Sequence, residues 1–364
     1  MTTDRDLRTL PKAHLHIHLE GAMRPDTLSE LCARYAIERP FDTRGKRFPD
    51  FRAFNDVYAA AALCIRSRDD LARLILEVAE DAAQQGVIWI EPAFDADRFC
   101  GQRAGSPDRL FQSQAEGWQF ALEAAQSASL KTGVGIGFMS AIDRSRPIDG
   151  GLERAQVTVE LVAAQAHLIR SGVPGLDERY PGIVAFGLHG NEQGNPPEPF
   201  ADAFAHVRNS TTLLSTPHAG EIAPSPGGGA ASVASAIAHL KADRILHGVL
   251  ATEDPDLIRR IADTNVCFDV CPSSNVALSV CDSIESHPLP GLLAAGVHCD
   301  LGSDDPLLFG PDLVDEFELC RTGMGLDDAA LATLAHNSFI HSGAPPRLKE
   351  VGRAAVDEWL AGTT

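Results

Sequence analysis

The chain has 364 residues, of which 44% are apolar and 22% charged, with a net charge of −19. This is the composition of a folded globular protein, and the negative charge argues against nucleic acid or an anionic membrane as main partner, because phosphate would be repelled over most of the surface. The length exceeds the ~250 residues typical of a (β/α)8 barrel, and no Pro/Gly/Ser-rich linker divides the sequence, so a single domain over 1–364 is expected.

In chain order, the first strand ends at His14–His18, and a helix follows over 24–36. Residues 50–66 and 69–85 read as two helices, the second amphipathic through Leu71, Leu74, Ile75, Val78 and Ala82. Val87–Glu91 is the second strand, a helix covers 107–129, and Gly133–Ser140 is the third strand. A helix over 150–171 leads to the fourth strand, Ile183–Leu188; strands five to eight are 212–216, 244–246, 267–270 and 297–301. Helices at 312–323, 327–336 and 350–360 close the chain. Strands alternating with helices are the signature of a parallel α/β architecture. Eight such strands predict a (β/α)8 TIM barrel over about residues 8–345 with additional helices, its chemistry at the C-terminal strand ends.

Polar motifs fall at those ends: His16-Leu-His18, His218-Ala-Gly-Glu221, Arg244-Ile-Leu-His247-Gly248, Cys271-Pro-Ser-Ser-Asn275 and Ser303-Asp304-Asp305-Pro306. Residues two apart on a strand share a face, so His16 and His18 can grip one cation from the barrel interior. With His218 and Asp304 they make three imidazoles and one carboxylate, a donor set that suits one Zn²⁺ per chain and leaves a position for water. Glu221 and His247 are the spare acid and base. No apolar run reaches the ~20 residues needed to span a bilayer. With no secretory signal evident at the N-terminus and no CxxC pair among eight cysteines, reduced thiols in a cytoplasm are expected.

The run Leu10-Pro-Lys-Ala-His14-Leu-His16-Ile-His18-Leu-Glu20-Gly21-Ala-Met-Arg24-Pro25, with the later motifs in order, resembles the adenosine deaminase family within the metal-dependent amidohydrolases, over roughly residues 8–345. The resemblance implies hydrolytic deamination of adenosine or 2′-deoxyadenosine to the inosine analogue and ammonia. It places His16, His18, His218 and Asp304 on the metal, with His14 a structural neighbour. Glu221 would protonate purine N1, and His247 would orient the water and stabilise the oxyanion-like intermediate. Asp305 would accept a hydrogen bond at N7, Gly190 would offer its N–H to N3, and Glu20 would meet the ribose 5′-hydroxyl. Partners would be a small purine and water, with neither nucleic acid nor membrane involved.

The sequence departs from the family pattern on the sugar side: Glu20 and Asn191 each stand where Asp is usual, and the loop after Glu221 is longer. Adenine, or a 5′-modified adenosine such as aminodeoxyfutalosine, is therefore the alternative substrate. Arg144 and Arg146, after the third strand, are candidates to reach the pocket and pair with a distal anion. A catalytically silent nucleoside-binding relative is the alternative of another class, and the intact Glu221 and His247 argue against it.

Overall fold

The computed structural model describes residues 5–101, 109–170, 182–222 and 228–362. Eight parallel strands pair in sequence order: β1 (Lys12–His18), β2 (Val87–Phe94), β3 (Gly135–Asp143), β4 (Gly182–His189), β5 (Leu214–Ala219), β6 (Arg244–His247), β7 (Cys267–Val270) and β8 (His298–Leu301). The ring is joined where β1 meets the chain just past β8. There His18 N–H donates to the Asp304 carbonyl at 3.0 Å, and Asp304 N–H donates to the His16 carbonyl at 3.1 Å. The result is a nearly closed (β/α)8 TIM barrel with helices around it, as the alternation of strands and helices predicts.

The strands are buried on both faces, one against the barrel interior and one against the helices, which is why they read as near-continuous apolar runs. Interior packing alternates large with small. The Trp89 indole fills space that a Cβ on Gly135 or Gly137 would occupy, at 2.5 and 2.7 Å from its ring atoms. Outside, the helix Arg68–Gln84 is started by Ser67, whose hydroxyl accepts from Asp70 N–H in a capping box, and it buries Leu71, Leu74, Ile75, Val78 and Ala82.

Several strands run beyond their expected ends. β2 reaches Phe94, β3 reaches Asp143, and β5 and β6 include His218 and His247. Hydropathy stops marking a strand once its inward residues turn polar, yet the parallel ladder continues through them. The helix expected from 107 begins at Gln114, where the Ser113 hydroxyl accepts from Glu116 N–H as N-cap. Among the described residues no helix is long and apolar enough to cross a membrane.

Below the strand ends lies a buried ionic layer whose roles the sequence did not reveal. Arg244, fully buried, donates to Asp269 at 2.9 Å and faces Glu91 at 2.8 Å; Glu91 also accepts from Trp89 Nε1 at 2.8 Å. Burial opposes the guanidinium's charge, but Asp269 and Glu91 outweigh that and hold Arg244 firmly protonated. Arg244→Leu is expected to destabilise the fold by about 3–5 kcal/mol, because it strands two buried carboxylates without their cation. Urea denaturation measures this, and a loss below 1 kcal/mol would show that the carboxylates find other partners.

Candidate functional site

At the C-terminal strand ends the separated motifs converge. His16 and His18 come from β1, His218 from β5, His247 from the last residue of β6, and Asp304 from the turn after β8. His16 Nε2 and His18 Nε2 lie 3.5 and 3.3 Å from Asp304 Oδ1. The His16 and His218 rings stand 5.0 Å apart, centroid to centroid, and those of His18 and His218 stand 5.3 Å apart. His16, His18 and Asp304 form one group able to hold a metal ion, and His16, His218 and His247 form another that overlaps it. His247 and Asp304 both sit at positive φ, 70° and 57°, a backbone conformation that L side chains adopt only at a cost.

Each imidazole is oriented from behind. His16 Nδ1 bonds the Asp269 carbonyl at 2.9 Å and His218 Nδ1 bonds that of Leu188 at 3.0 Å, so both rings carry their proton on Nδ1 and turn an Nε2 lone pair inward. His16 Nε2 is buried and has no protein hydrogen-bond partner. Burial, then the neighbouring imidazoles, pushes His218 well below the usual histidine range and so keeps it neutral. Burial raises the Asp304 carboxyl, but the adjacent His16 and His18 imidazoles prevail and hold it well below the usual range. Ser274 Oγ donates to its other oxygen at 2.7 Å. Neutral imidazoles, one carboxylate and a buried orphan lone pair fit a tetrahedral divalent cation. Cys267, Asp269 and Asp300 form a third buried group, but there Arg244 already supplies the positive charge.

His14 does not join its neighbours. The β1 register shifts between His14 and Ile17, and His14 Nε2 accepts from Ser303 N–H at 3.1 Å, fixing the turn that presents Asp304. Strict alternation along the strand puts all three histidines on one face; the irregularity in β1 separates the first from the other two.

Glu221 is buried beside the cluster, its Oε1 3.7 Å from His247 Nε2. Burial first, then Asp304 and Glu192, pushes its carboxyl well above the usual range, the direction a proton donor needs. Glu192, unassigned by the sequence, holds this loop. Its carboxylate accepts from Gly220, Glu221 and Ile222 N–H at 2.8, 2.9 and 3.0 Å. The signal available for it was only an acid next to Asn191 in a Gly-rich turn. Asp305 is buried as well and raised well above the usual range, by burial and then Asp304. A Cβ on Gly21 would fall 1.6 Å from Asp305 Oδ1, so glycine is what lets these two segments meet. Gly190, at φ 90°, packs its Cα against Asp143.

A cavity of about 300 Å³ opens above the cluster, lined by His18, Tyr58, Arg52, Arg98, His189, Gly190, Asn191, His218, Glu221, Asp304 and Asp305 among others. Glu20 is not among its lining residues. It is buried, accepts from Tyr58 Oη at 3.1 Å, and lies 3.6 Å from Arg98 Nε. The arginines singled out from the sequence are elsewhere. Arg144 is buried behind the site, donating to the His218 carbonyl at 3.1 Å, and Arg146 is exposed and paired with Asp97 at 2.9 Å. Arg98 and Arg52 line the cavity instead. The longer loop after Glu221 falls at 223–227, outside the described residues.

The adenosine deaminase family model matches residues 11–359. The chain is 38% identical over 370 residues to a putative adenosine/adenine deaminase of Streptomyces coelicolor, covering 98% of each. It is 33% identical over 363 residues to an aminodeoxyfutalosine deaminase of the same organism, covering 97% of this chain and 86% of that one. The crystal structure of adenine deaminase from Arthrobacter aurescens superposes with a TM-score of 0.79 at 28% identity, covering 96% of this chain and 99% of that one. Sequence, fold and the convergence of the five motifs agree: the chain belongs to the adenosine deaminase family of metal-dependent amidohydrolases.

Proposed function

We propose that the protein is a zinc-dependent hydrolytic deaminase of a 6-aminopurine nucleoside, converting adenosine or 2′-deoxyadenosine to its inosine counterpart with release of ammonia. The observation that carries this is Glu221, a carboxyl raised well above its ordinary range beside a histidine–aspartate cluster at the base of a purine-sized cavity. Amide or lactone hydrolysis needs no donor to a ring nitrogen; purine deamination does.

His16, His18, His218 and Asp304 would hold the ion, whose chemistry when bound is to make water acidic enough to serve as nucleophile near neutral pH. Glu221 gives its proton to N1, which makes C6 electrophilic. His247 Nε2 faces the place where negative charge develops. Asp305, raised above its ordinary range, carries a proton in this scheme and donates it to N7, the reverse of the direction expected from sequence. Gly190 N–H serves N3.

A second reading is favoured by one observation. Arg98 and Arg52 line the cavity, and Glu20 is engaged by Tyr58 and Arg98 rather than open to a ribose hydroxyl. On this reading the substrate is a 5′-modified adenosine whose distal anion pairs with a guanidinium. The test is kcat/KM by ultraviolet absorbance for adenine, adenosine, 5′-methylthioadenosine and aminodeoxyfutalosine, in wild type and Arg98→Gln. Adenosine turned over best, with Arg98→Gln unchanged in ranking, supports the first reading. A preference for the anionic nucleoside that Arg98→Gln cuts by roughly the 1–3 kcal/mol of a lost pocket contact supports the second. Turnover of adenine alone would overturn both.

A further inference from the structure

One hydrogen-bond chain behind the site ends on His247. The Leu289 backbone N–H donates to His287 Nδ1 at 3.2 Å; His287 Nε2 lies 3.1 Å from Asn275 Oδ1, and Asn275 Nδ2 lies 3.2 Å from His247 Nδ1. All three side chains are buried. Only the first of these donors is fixed by covalent structure, since a backbone amide can do nothing but donate. From it the rest follow. His287 Nδ1 must accept, so its ring proton is on Nε2, where it donates to the Asn275 oxygen. The Asn275 amide then has its NH2 turned to His247 Nδ1, which must accept in turn. Rotating the amide by half a turn would place its NH2 against the protonated Nε2 of His287. Protonating both nitrogens of His287 would set two N–H groups against each other at Leu289, and burial lowers this imidazole to about 4, which disfavours the cation independently. Asn275 is itself held by its carbonyl, which accepts from Val280 and Cys281 N–H at 2.8 and 3.0 Å.

We infer that Asn275 and His287 are positioning residues that lock His247 as the neutral tautomer protonated on Nε2, making it a hydrogen-bond donor toward the reacting oxygen and not a base. This rests on the deaminase reading only for its consequence; the tautomer is a property of the folded chain. His247 Nε2 is buried with no hydrogen-bond partner in the protein, 3.7 Å from Glu221 Oε1 and 3.8 Å from Asp304 Oδ2, so the proton placed there points into the site. Its one lone pair is committed to Asn275. A ring so arranged stabilises negative charge on an oxygen added at C6 and cannot take the water's proton, which leaves proton movement to Glu221.

The test uses zinc-loaded enzyme labelled with ¹⁵N in histidine. Two-bond ¹H–¹⁵N correlations distinguish the tautomers, and the His247 signal is assigned by its loss in His247→Gln. Wild type is expected to show a protonated Nε2 and an unprotonated Nδ1. Asn275→Asp presents only acceptors at neutral pH and is expected to move the proton to Nδ1. That should lower kcat by at least about 100-fold, the effect of losing one oxyanion donor, with KM and zinc content little changed. His287→Gln keeps a donor for Asn275 and should stay within a few-fold of wild type, whereas His287→Leu should show both tautomers and an intermediate kcat. A wild-type spectrum with His247 protonated on Nδ1 overturns the inference whether or not the Asn275 and His287 variants fold. So does an Asn275→Asp enzyme that shows the reversed tautomer yet keeps its kcat. Because the spectrum needs no substrate, failure of the purine reading would leave this result standing and separately visible.

Discussion

Asp304→Ala is expected to lose bound metal and turnover together. The carboxylate lies within 3.5 Å of two imidazole Nε2 atoms and accepts from Ser274, and it is the one anion in the proposed ligand set. Without it, three neutral imidazoles remain around a dication, and the affinity supplied by charge is gone. Asp304 sits at φ 57°, where alanine is less at ease than aspartate, so a modest loss of stability should accompany the loss of metal. Asp304→Asn separates the two effects by keeping the shape and the Ser274 contact while removing the charge. His16→Ala should behave as Asp304→Ala does. Metal analysis at full occupancy in either alanine variant would take that residue off the ligand set.

Glu221→Gln should fold, keep its metal and still bind nucleoside, while kcat falls by at least ~100-fold, the lower range for general acid–base catalysis. The direction of the pKa shift adds a pH signature. Burial, Asp304 and Glu192 raise the Glu221 carboxyl. The protonated form is the one that serves N1, so wild-type kcat should hold below the raised pKa and decline as pH rises through it. In Glu221→Gln that alkaline decline should vanish from the residual rate. Activity within a few-fold of wild type would assign the shuttle elsewhere and strengthen the amide-hydrolase alternative.

The fold was legible because short apolar stretches alternate with helices along the chain, and two of the three proposed metal-binding histidines lie two apart on the first strand. Convergence of the motifs was legible for the same reason: strand ends in a barrel share one face. What escaped depended on side-chain reach or on donors that sequence does not mark. Arg98 follows β2 in a short turn with no distinguishing text around it, whereas Arg144 and Arg146 drew attention by position and then pointed behind the site and to solvent. Glu20 sits in a strong motif that suggests a substrate contact, but Tyr58, 38 residues downstream and on a different helix, is what engages it. Glu192 and the Asn275–His287 pair act on backbone amides and ring nitrogens, and no spacing rule announces such contacts.

The seam between β1 and the turn after β8 has a consequence for biosynthesis. His16 and His18 leave the ribosome long before Asp304, so the proposed donor set exists only once all the chain between them is available. Contacts this distant in sequence form late, after loop-closure entropy has been overcome. Until then β1 stands as an unpaired edge, and in a chain arrested before residue 298 β7 would be a second one, each a template for intermolecular pairing. Metal capture by the proposed donor set would thus follow completion of the ring, and chains truncated before β8 should aggregate rather than accumulate as soluble, metal-free barrels.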